Sequence, residues 1–237
     1  MPALNDNPDV PRALVTGSSH GIGRAVAEQL LAQGWAVTGL DRATPTFAHP
    51  RFSALQADLA DPAQTRAAVQ ALAPLQALVH AAGQMAARRL GTLDDAEGAR
   101  LWQVHVAAAA ALADALAPGM AERGRGRVVF IGSRIAQGLA GRGQYAACKA
   151  ALVAMARSWA AELAPRGVTF NVVSPAATRT GMLDDPARAS SAVRLPPIGR
   201  LIEPQEVAAL VAFLLSPQAA ALTGQDIALC GGASLPS

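Results

Sequence analysis

Short apolar runs rich in β-branched residues alternate along this chain with longer stretches of helical periodicity. The short runs predict seven strands, over residues 13–16, 36–40, 52–57, 77–80, 128–131, 169–173 and 226–229. The longer stretches predict five helices, over residues 22–33, 62–73, about 97–120, 144–164 and 204–215. Alternation of this kind is typical of βαβ units. The pattern therefore predicts an α/β fold with a doubly wound, seven-stranded parallel sheet.

Length and pattern together indicate one domain. A chain of 237 residues can bury one full core, and no repeat or low-complexity linker divides it. We expect this domain to cover residues 12–237. Residues 1–11 are polar and contain prolines, so they are expected to form a loose leader. Residues 182–200 are expected to form a short substrate lid, stiffened by Pro186, Pro196 and Pro197.

Composition excludes several classes of partner. The net charge of +3 is carried by dispersed arginines, and aromatic residues make up 4%, whereas a nucleic-acid surface needs a basic stripe with interleaved aromatics. The cluster of Arg123, Arg125 and Arg127 is expected to face water. No apolar stretch reaches the roughly 18 residues of a membrane span. We therefore expect neither nucleic acid nor a membrane as a partner.

Cysteine usage indicates a reducing compartment. Cys148 and Cys230 lie far apart and lack the CxxC spacing of a redox or metal motif. We therefore expect a cytoplasmic protein without a metal site.

The only tyrosine, Tyr145, lies four residues before the only lysine, Lys149, in a chain whose other basic residues are all arginine. On a helix, this spacing places both side chains on one face. A nearby ammonium favours phenolate and lowers the pKa of a tyrosine from about 10, which makes the phenol a usable acid or base. An ordinary exposed helical pair has the same spacing, so the pair alone leaves that alternative open.

The segment TGSSHGIG, at 16–23, follows the first predicted strand and opens the first helix. Its glycines permit a tight turn, and the helix N-terminus offers amides to a pyrophosphate, although a plain strand–helix turn is the alternative. Asp41 ends the second strand, where a carboxylate would bind ribose hydroxyls and repel a 2′-phosphate, which favours NAD over NADP. Arg42 and His20 argue for NADP, because either could pair with that phosphate. Asp58 could bind adenine or form a turn.

Together with HAAG at 80–83, Ser133, YAACK at 145–149 and NVVSPA at 171–176, this segment makes the chain similar to the short-chain dehydrogenase/reductase family over nearly its whole length. The resemblance implies a Rossmann fold and an NAD(P)-dependent oxidoreductase. It implies that Tyr145 is the general acid/base, Ser133 orients the substrate oxygen and Lys149 holds the nicotinamide ribose. The nucleotide contacts implied or favoured by these patterns are Gly17, Ser19, His20, Gly21, Ile22, Gly23, Asp41, Arg42, Asp58, Leu59, Ala81, Ala82, Gly83, Lys149, Pro175, Thr178 and Thr180.

Two histidines depart from the family pattern. His105 stands where members usually have an asparagine that completes a proton relay to the lysine. An imidazole can relay protons and ordinarily titrates near neutrality, so we expect His105 to replace the asparagine and to add its own ionisation to the rate profile. A histidine that is merely packed in the helix is the alternative. His80 replaces the usual asparagine before the AAG turn and is expected to be structural.

These features predict NAD(H)-dependent hydride transfer between a secondary alcohol, including a cyclic one, and a ketone. An NAD-binding regulator or scaffold with weak or no turnover is the alternative, suggested by His105 and His80. The resemblance also implies a homotetramer or homodimer built on the two long helices.

Overall fold

The computed structural model describes residues 10–70, 72, 74–183 and 194–235, and strands and helices alternate through them. The strands are β1 (Arg12–Thr16), β2 (Ala36–Asp41), β3 (Phe52–Gln56), β4 (Ala77–His80), β5 (Gly126–Ile131), β6 (Val168–Pro175) and β7 (Asp226–Leu229). The α-helices are α1 (Gly21–Ala32), α2 (Pro62–Gln70), α3 (Asp95–Trp102), α4 (Ala108–Glu122), α5 (Gly143–Leu163) and α6 (Pro204–Leu215). The predicted alternation is confirmed, and β4, β7 and α6 have the predicted bounds.

All seven strands are parallel and form one sheet in the order β3-β2-β1-β4-β5-β6-β7. From β1 the chain moves outward to β3, returns to the other side of β1, and then moves outward again from β4 to β7. The strand order therefore reverses between β1 and β4. In an open α/β sheet, ligands bind beyond the carboxyl ends of the strands at such a switch point. The doubly wound parallel sheet predicted from the sequence is confirmed.

Both faces of the sheet are covered by helices. One face packs against α2, α4 and α5 around Leu14, Leu78 and Phe130, and the other packs against α1 and α6 around Val15 and Val79. Successive residues of a strand point to opposite faces, so neighbours such as Leu14 and Val15 enter different core layers. Strands β4 and β6 are buried along their whole length, as expected of central strands in a parallel sheet.

Helices α3 and α6 begin with carboxylate caps, whereas α1 does not. Asp94 accepts a hydrogen bond from the backbone amide of Glu97 at 2.9 Å, and Glu203 and Glu206 form a capping box at the start of α6. His20 precedes α1 with an extended backbone, and its side chain makes no capping hydrogen bond. The first amides of α1 are therefore left for water or a ligand.

The long helix predicted over residues 97–120 is interrupted. Helices α3 and α4 are separated by a single π-helical turn, Gln103–Ala107, which contains His105. The Nε2 atom of His80 lies 3.1 Å from the carbonyl oxygen of Val104 in that turn. The apolar pattern runs through the turn without a break, so the sequence carries no local signal for it. π turns within helices are frequent at functional sites.

The expectation that the cluster of Arg123, Arg125 and Arg127 faces water is wrong for Arg127. This residue lies on β5 and is 7% exposed. Its Nη1 atom donates to the carbonyl oxygens of Gly126 at 2.8 Å and Gly167 at 3.2 Å, and burial lowers its pKa. Strand alternation decides the direction of this side chain, and its guanidinium is accommodated by carbonyl groups.

By length and composition alone, the helical stretch Asp95–Glu122 could cross a membrane, but more than half of its most apolar part is buried in the fold. Burial of that kind is typical of a core helix. Residues 1–9 of the predicted leader and 184–193 of the predicted lid lie outside the described residues. So do positions 71 and 73, near the predicted end of the second helix.

Candidate active site

A cavity of about 1520 Å³ opens beyond the carboxyl ends of the strands, at the switch point between β1 and β4. Every residue predicted to bind the nucleotide or to carry the reaction lines this cavity. The glycine turn forms one end, which we call the adenosine end together with Asp41 and Asp58. Ser133, Tyr145 and Lys149 form the other, which we call the catalytic end. Among the described residues of the predicted lid, 182–183 and 194–197 also line the cavity.

The glycine turn is shaped for close backbone approach. Gly17 has a φ of 68°, which a side chain would strain, and a Cβ atom at Gly23 would collide with the carbonyl oxygen of Gly17. The side chain of Thr180 packs beside Gly21 from the segment after β6. The uncapped first turn of α1 follows directly. This arrangement of unblocked amides fits a pyrophosphate, as the sequence predicted.

Asp41 is held at the end of β2 by two backbone amides. Its Oδ2 accepts from the amide of Ser19 at 3.0 Å, and its Oδ1 accepts from that of Ala43 at 3.0 Å. The carboxylate therefore has a fixed orientation beside the glycine turn. His20 and Arg42, the two residues that argued for NADP, are exposed at the same end.

Asp58 forms a turn and also joins an ion pair. Its Oδ1 accepts from the amide of Ala60 at 2.9 Å, so the alternative that Asp58 forms a turn is confirmed. Its Oδ2 lies 3.2 Å from Nη2 of Arg100 on α3. Burial alone would raise the pKa of Asp58, but the hydrogen bonds from Ala60 and Arg100, with the charge of Arg100, lower it. An ionised carboxylate thus faces the adenosine end.

Tyr145 and Lys149 are buried together on one face of α5. They are 6% and 4% exposed, so the alternative of an exposed helical pair is wrong. The ammonium Nζ lies 5.6 Å from the centre of the Tyr145 ring and donates to the carbonyl oxygen of Ile131 at 2.7 Å. Burial lowers the pKa of Lys149 to about 7. The pair therefore combines a phenol with an ammonium that exchanges its proton near neutrality.

Ser133 follows β5 and starts a short 3₁₀ turn, Arg134–Gln137. It is 9% exposed, and its Oγ accepts from the backbone amide of Ile135 at 3.2 Å. This bond orients the oxygen and leaves the hydroxyl hydrogen to donate into the cavity.

Thr16 and His80 form a buried polar link beneath the cavity. The Thr16 Oγ1 atom accepts from the amides of Ala81 at 3.1 Å and Ala82 at 3.0 Å. It also lies 3.0 Å from His80 Nδ1, while His80 Nε2 reaches Val104. Burial, and then the charge of Lys149, lowers the pKa of His80 to about 3. The structural role expected of His80 is confirmed, because its neutral ring ties β4 to the π turn.

His105 is buried, at 1% exposure, and its ring meets that of Tyr145 edge-on with centroids 5.5 Å apart. Its Nε2 lies 2.8 Å from the carbonyl oxygen of Gln84. Burial, followed by the charge of Lys149, holds the pKa of His105 well below 6.5. The expected ionisation near neutrality is therefore wrong. The Nδ1 atom has no hydrogen-bond partner within the described part of the chain, so a relay through His105 would use a neutral imidazole and stays a prediction.

Sequence reasoning missed Arg100 and Gln84, which also line the cavity. Arg100 belongs to no motif, and its partners lie 42 and 16 residues away along the chain. Gln84 follows the HAAG segment directly, which is the one local signal that could have drawn attention to it.

Comparisons with known proteins agree with this site. The family model described as enoyl-(acyl carrier protein) reductase matches residues 17–234. The 3-oxoacyl-[acyl-carrier-protein] reductase FabG of Escherichia coli is 35% identical over 234 residues, covering 93% of this chain and 96% of the relative. A 3-ketoacyl-(acyl-carrier-protein) reductase from Brucella melitensis, solved with NADH, superposes with a TM-score of 0.86 at 27% identity, covering 95% and 98% of the two chains. A variant of actinorhodin polyketide ketoreductase, solved with NADPH, gives 0.89 at 28% identity, covering 96% and 98%.

The family match, the parallel sheet and the shared cavity of glycine turn, serine, tyrosine and lysine lead to one conclusion. The chain belongs to the short-chain dehydrogenase/reductase family and is an NAD(P)-dependent oxidoreductase of that family.

Proposed function

We propose that this protein interconverts a ketone and a secondary alcohol, including a cyclic one, with NAD(H) as the hydride carrier. The observation that carries the proposal is the buried pair of Tyr145 and Lys149 in the same cavity as the glycine turn. A buried phenol beside an ammonium is suited to proton exchange with a substrate oxygen. The named relatives are reductases, so ketone reduction is the direction we propose to assay first.

The chain's own residues divide the work. Ser133 donates its hydroxyl hydrogen to the substrate oxygen and fixes the reacting carbon. Tyr145 gives its proton to that oxygen during reduction and takes it back during oxidation. Lys149 favours the phenolate and would hold the nicotinamide ribose, with Pro175, Thr178 and the 81–83 segment along the wall. The bound nicotinamide supplies or accepts the hydride.

His105 is proposed to serve the relay as a neutral imidazole. Its Nε2 bonds the backbone carbonyl of Gln84, and its Nδ1, which has no partner among the described residues, accepts a hydrogen bond from a water that exchanges protons with Lys149. The substitution His105→Asn, which supplies an amide, should keep turnover within about threefold, whereas His105→Phe should lower kcat by about tenfold or more. Equal turnover in His105→Phe and wild type would remove His105 from the relay and leave it a packing residue.

The choice of NAD(H) over NADP(H) is supported by Asp41. Its carboxylate is fixed beside the glycine turn, where a 2′-phosphate would bring a second negative charge. We expect kcat/KM to be higher with NADH than with NADPH, and Asp41→Ala to reduce that preference by about tenfold or more. A wild-type preference for NADPH would overturn this part of the proposal and assign the 2′-phosphate to Arg42 or His20.

The experiment that tests the proposal follows NADH oxidation with a panel of cyclic and open-chain ketones, and NAD reduction with the matching alcohols. Wild-type protein should turn over members of the panel. Tyr145→Phe should lose at least about 10³-fold in kcat while it keeps its nucleotide affinity and unfolding temperature, because the substitution removes only the phenolic hydroxyl that exchanges the proton. Nucleotide binding with no turnover on any member of the panel would instead support the regulator or scaffold.

We also propose an oligomeric state and a cellular location. Residues Ala147, Ala150 and Ala154 form an exposed, small-residue face on α5, which supports close helix contact in a homodimer or homotetramer. Both cysteines are free, in line with the proposed cytoplasmic location. Light scattering during size-exclusion chromatography should give two or four times the monomer mass, and a monomer at micromolar concentration would contradict the assembly.

A further inference from the structure

Arg100 joins two segments that the sheet keeps apart. Its Nη2 atom lies 3.2 Å from Oδ2 of Asp58, and its Nε donates to Oε1 of Gln84 at 3.3 Å. Asp58 follows β3 and Gln84 follows β4, and two strands, β2 and β1, lie between β3 and β4 in the sheet. All three residues line the nucleotide cavity. The guanidinium therefore spans the cavity wall from the adenosine end towards the catalytic end.

At the adenosine end, Arg100 completes the set of bonds that orients Asp58. The Asp58 amide donates to Oε1 of Gln64 at 3.0 Å, and its other carboxylate oxygen accepts from Ala60. With Arg100 in place, each carboxylate oxygen of Asp58 accepts a hydrogen bond, which fixes the orientation of the group. Without it, the carboxylate could rotate away from the cavity, because only one oxygen would remain bonded.

At the catalytic end, Gln84 connects Arg100 to the packing around the phenol. The backbone carbonyl oxygen of Gln84 lies 2.8 Å from Nε2 of His105, and the backbone nitrogen of Gln84 lies 3.2 Å from the same atom. The His105 ring in turn packs edge-on against Tyr145. A side chain at Gly83 would collide with His105, so this segment and the imidazole fit closely. A shift of the Gln84 side chain that moves its own backbone would therefore also move the His105 ring.

We propose that Arg100 is a positioning residue with two separable effects. Through Asp58 it sets affinity for the adenosine part of the nucleotide, and through Gln84 it sets how His105 packs against Tyr145. A planar guanidinium can bond in two directions at once, whereas a lysine at this position could hold only one partner well. The second effect rests on the proposed function, since it concerns the catalytic phenol. The first requires only nucleotide binding.

The test uses three near-isosteric substitutions, Arg100→Met, Asp58→Asn and Gln84→Met, and the double variants that contain Arg100→Met. Affinity for ADP-ribose is measured by calorimetry, and kcat is measured at saturating nucleotide and substrate. Asp58→Asn should weaken ADP-ribose binding by about fivefold and leave kcat within about twofold. Gln84→Met should lower kcat by about fivefold and leave ADP-ribose affinity within about twofold. Arg100→Met should do both.

Arg100 acts as one unit with Asp58 and as another with Gln84. Each double variant should therefore lose no more ADP-ribose affinity or kcat than Arg100→Met alone. Arg100→Lys should recover most of the affinity and little of kcat. Arg88→Met is the matched control. It removes an ion pair to Glu97, which lies on α3 as Arg100 does. Arg88 and Glu97 are 45% and 29% exposed, close to the 40% and 34% of Arg100 and Asp58. Arg88 does not line the nucleotide cavity, so this variant should change neither quantity by more than about twofold.

Additive losses in the double variants, or an Arg100→Met protein that matches Arg88→Met in both quantities, would overturn the proposal. If wild type binds ADP-ribose but catalyses nothing, the proposed function fails while the calorimetric part still tests the Asp58 effect. The Gln84 effect is then measured by the absorbance titration of Tyr145, the only tyrosine in the chain. Gln84→Met and Arg100→Met should shift that titration by the same amount. No shift in either would remove the catalytic half of the inference.

Discussion

The two ends of the cavity are built in different ways. The adenosine end consists of glycine backbone, an uncapped helix start and two carboxylates held by backbone amides and, at Asp58, also by Arg100. At and around the catalytic end, ionisable side chains are taken out of water. Tyr145, Lys149, His105 and, beneath the cavity, His80 are all at most 6% exposed. Burial lowers the pKa of Lys149, His80 and His105, so each is more costly to charge in the folded protein.

The difference shows which part of the site supports the fold and which part costs stability. At the adenosine end the Asp41 and Asp58 carboxylates are paired, and steric fit sets the tolerance to change. At the catalytic end an ammonium with no carboxylate partner among the described residues is kept in the core, where an apolar residue would be more stable. A substitution that breaks the fit at the adenosine end should therefore weaken nucleotide binding. The replacement of a buried charge at the catalytic end should instead stabilise the fold.

The largest expected effect comes from breaking the steric fit at the adenosine end. Gly23→Ala places a methyl group against the carbonyl oxygen of Gly17, which belongs to a rigid turn. We expect nucleotide affinity to fall by about 10²-fold or more, because the turn must shift. Calorimetry with NAD measures this. Gly119→Ala is the control, since its methyl group would meet only the flexible end of Arg123, so helix α4 should gain about 0.5–1 kcal/mol and affinity should not change. Equal NAD affinities in Gly23→Ala and Gly119→Ala would show that the close approach of Gly23 to Gly17 is not needed for nucleotide binding.

The next effect concerns the catalytic end. Lys149→Met should abolish turnover yet stabilise the fold by about 2–4 kcal/mol at pH 7, even after the hydrogen bond to Ile131 is lost. The pKa of Lys149 is about 7 when folded and about 10.4 when unfolded, so its penalty is full below pH 7 and fades as pH rises towards 10. Urea unfolding at pH 7 and pH 10 measures the gain. A variant that is less stable than wild type at pH 7 would contradict the idea that the buried ammonium destabilises the fold. An equal gain in unfolding free energy at pH 7 and pH 10 would contradict it as well.

The effect that is smallest at neutral pH is a pH dependence from His80. Its pKa is about 3 in the folded protein and about 6.5 in the unfolded chain. Between these pH values His80 is therefore protonated in the unfolded chain and neutral in the folded protein. The stability that depends on neutral His80 is present above pH 6.5 and is lost below it, at about 1.4 kcal/mol per pH unit. His80→Asn should reduce the acid slope of urea-unfolding stability by that amount. His20→Asn, at an exposed position, should leave the slope unchanged. Identical slopes for His80→Asn and wild type would contradict the assignment.

The sequence predicted the adenosine end more fully than the catalytic end. Strand ends and the glycine turn follow from local patterns, so β4, β7 and the residues from Gly17 to Gly23 lie where they were expected. The π turn around His105 was missed, because the contacts from His80 and Gln84 that accompany it come from distant segments. The buried position of Arg127 and the bridge made by Arg100 likewise depend on which strands become neighbours. The low pKa of His105 also follows from burial, which a helical pattern rich in alanine does not reveal.

The most direct test of the account uses the fact that Tyr145 is the only tyrosine in the chain, so near-ultraviolet tyrosinate absorbance reports its ionisation alone. The first proton leaving the buried pair could come from either the phenol or the ammonium, and this signal separates them. We predict that the phenol of the wild-type protein ionises well below its ordinary pKa of about 10, and that in Lys149→Met it ionises at or above that value. Ionisation at or above pH 10 in both proteins would contradict the claim that Lys149 makes Tyr145 an acid/base group.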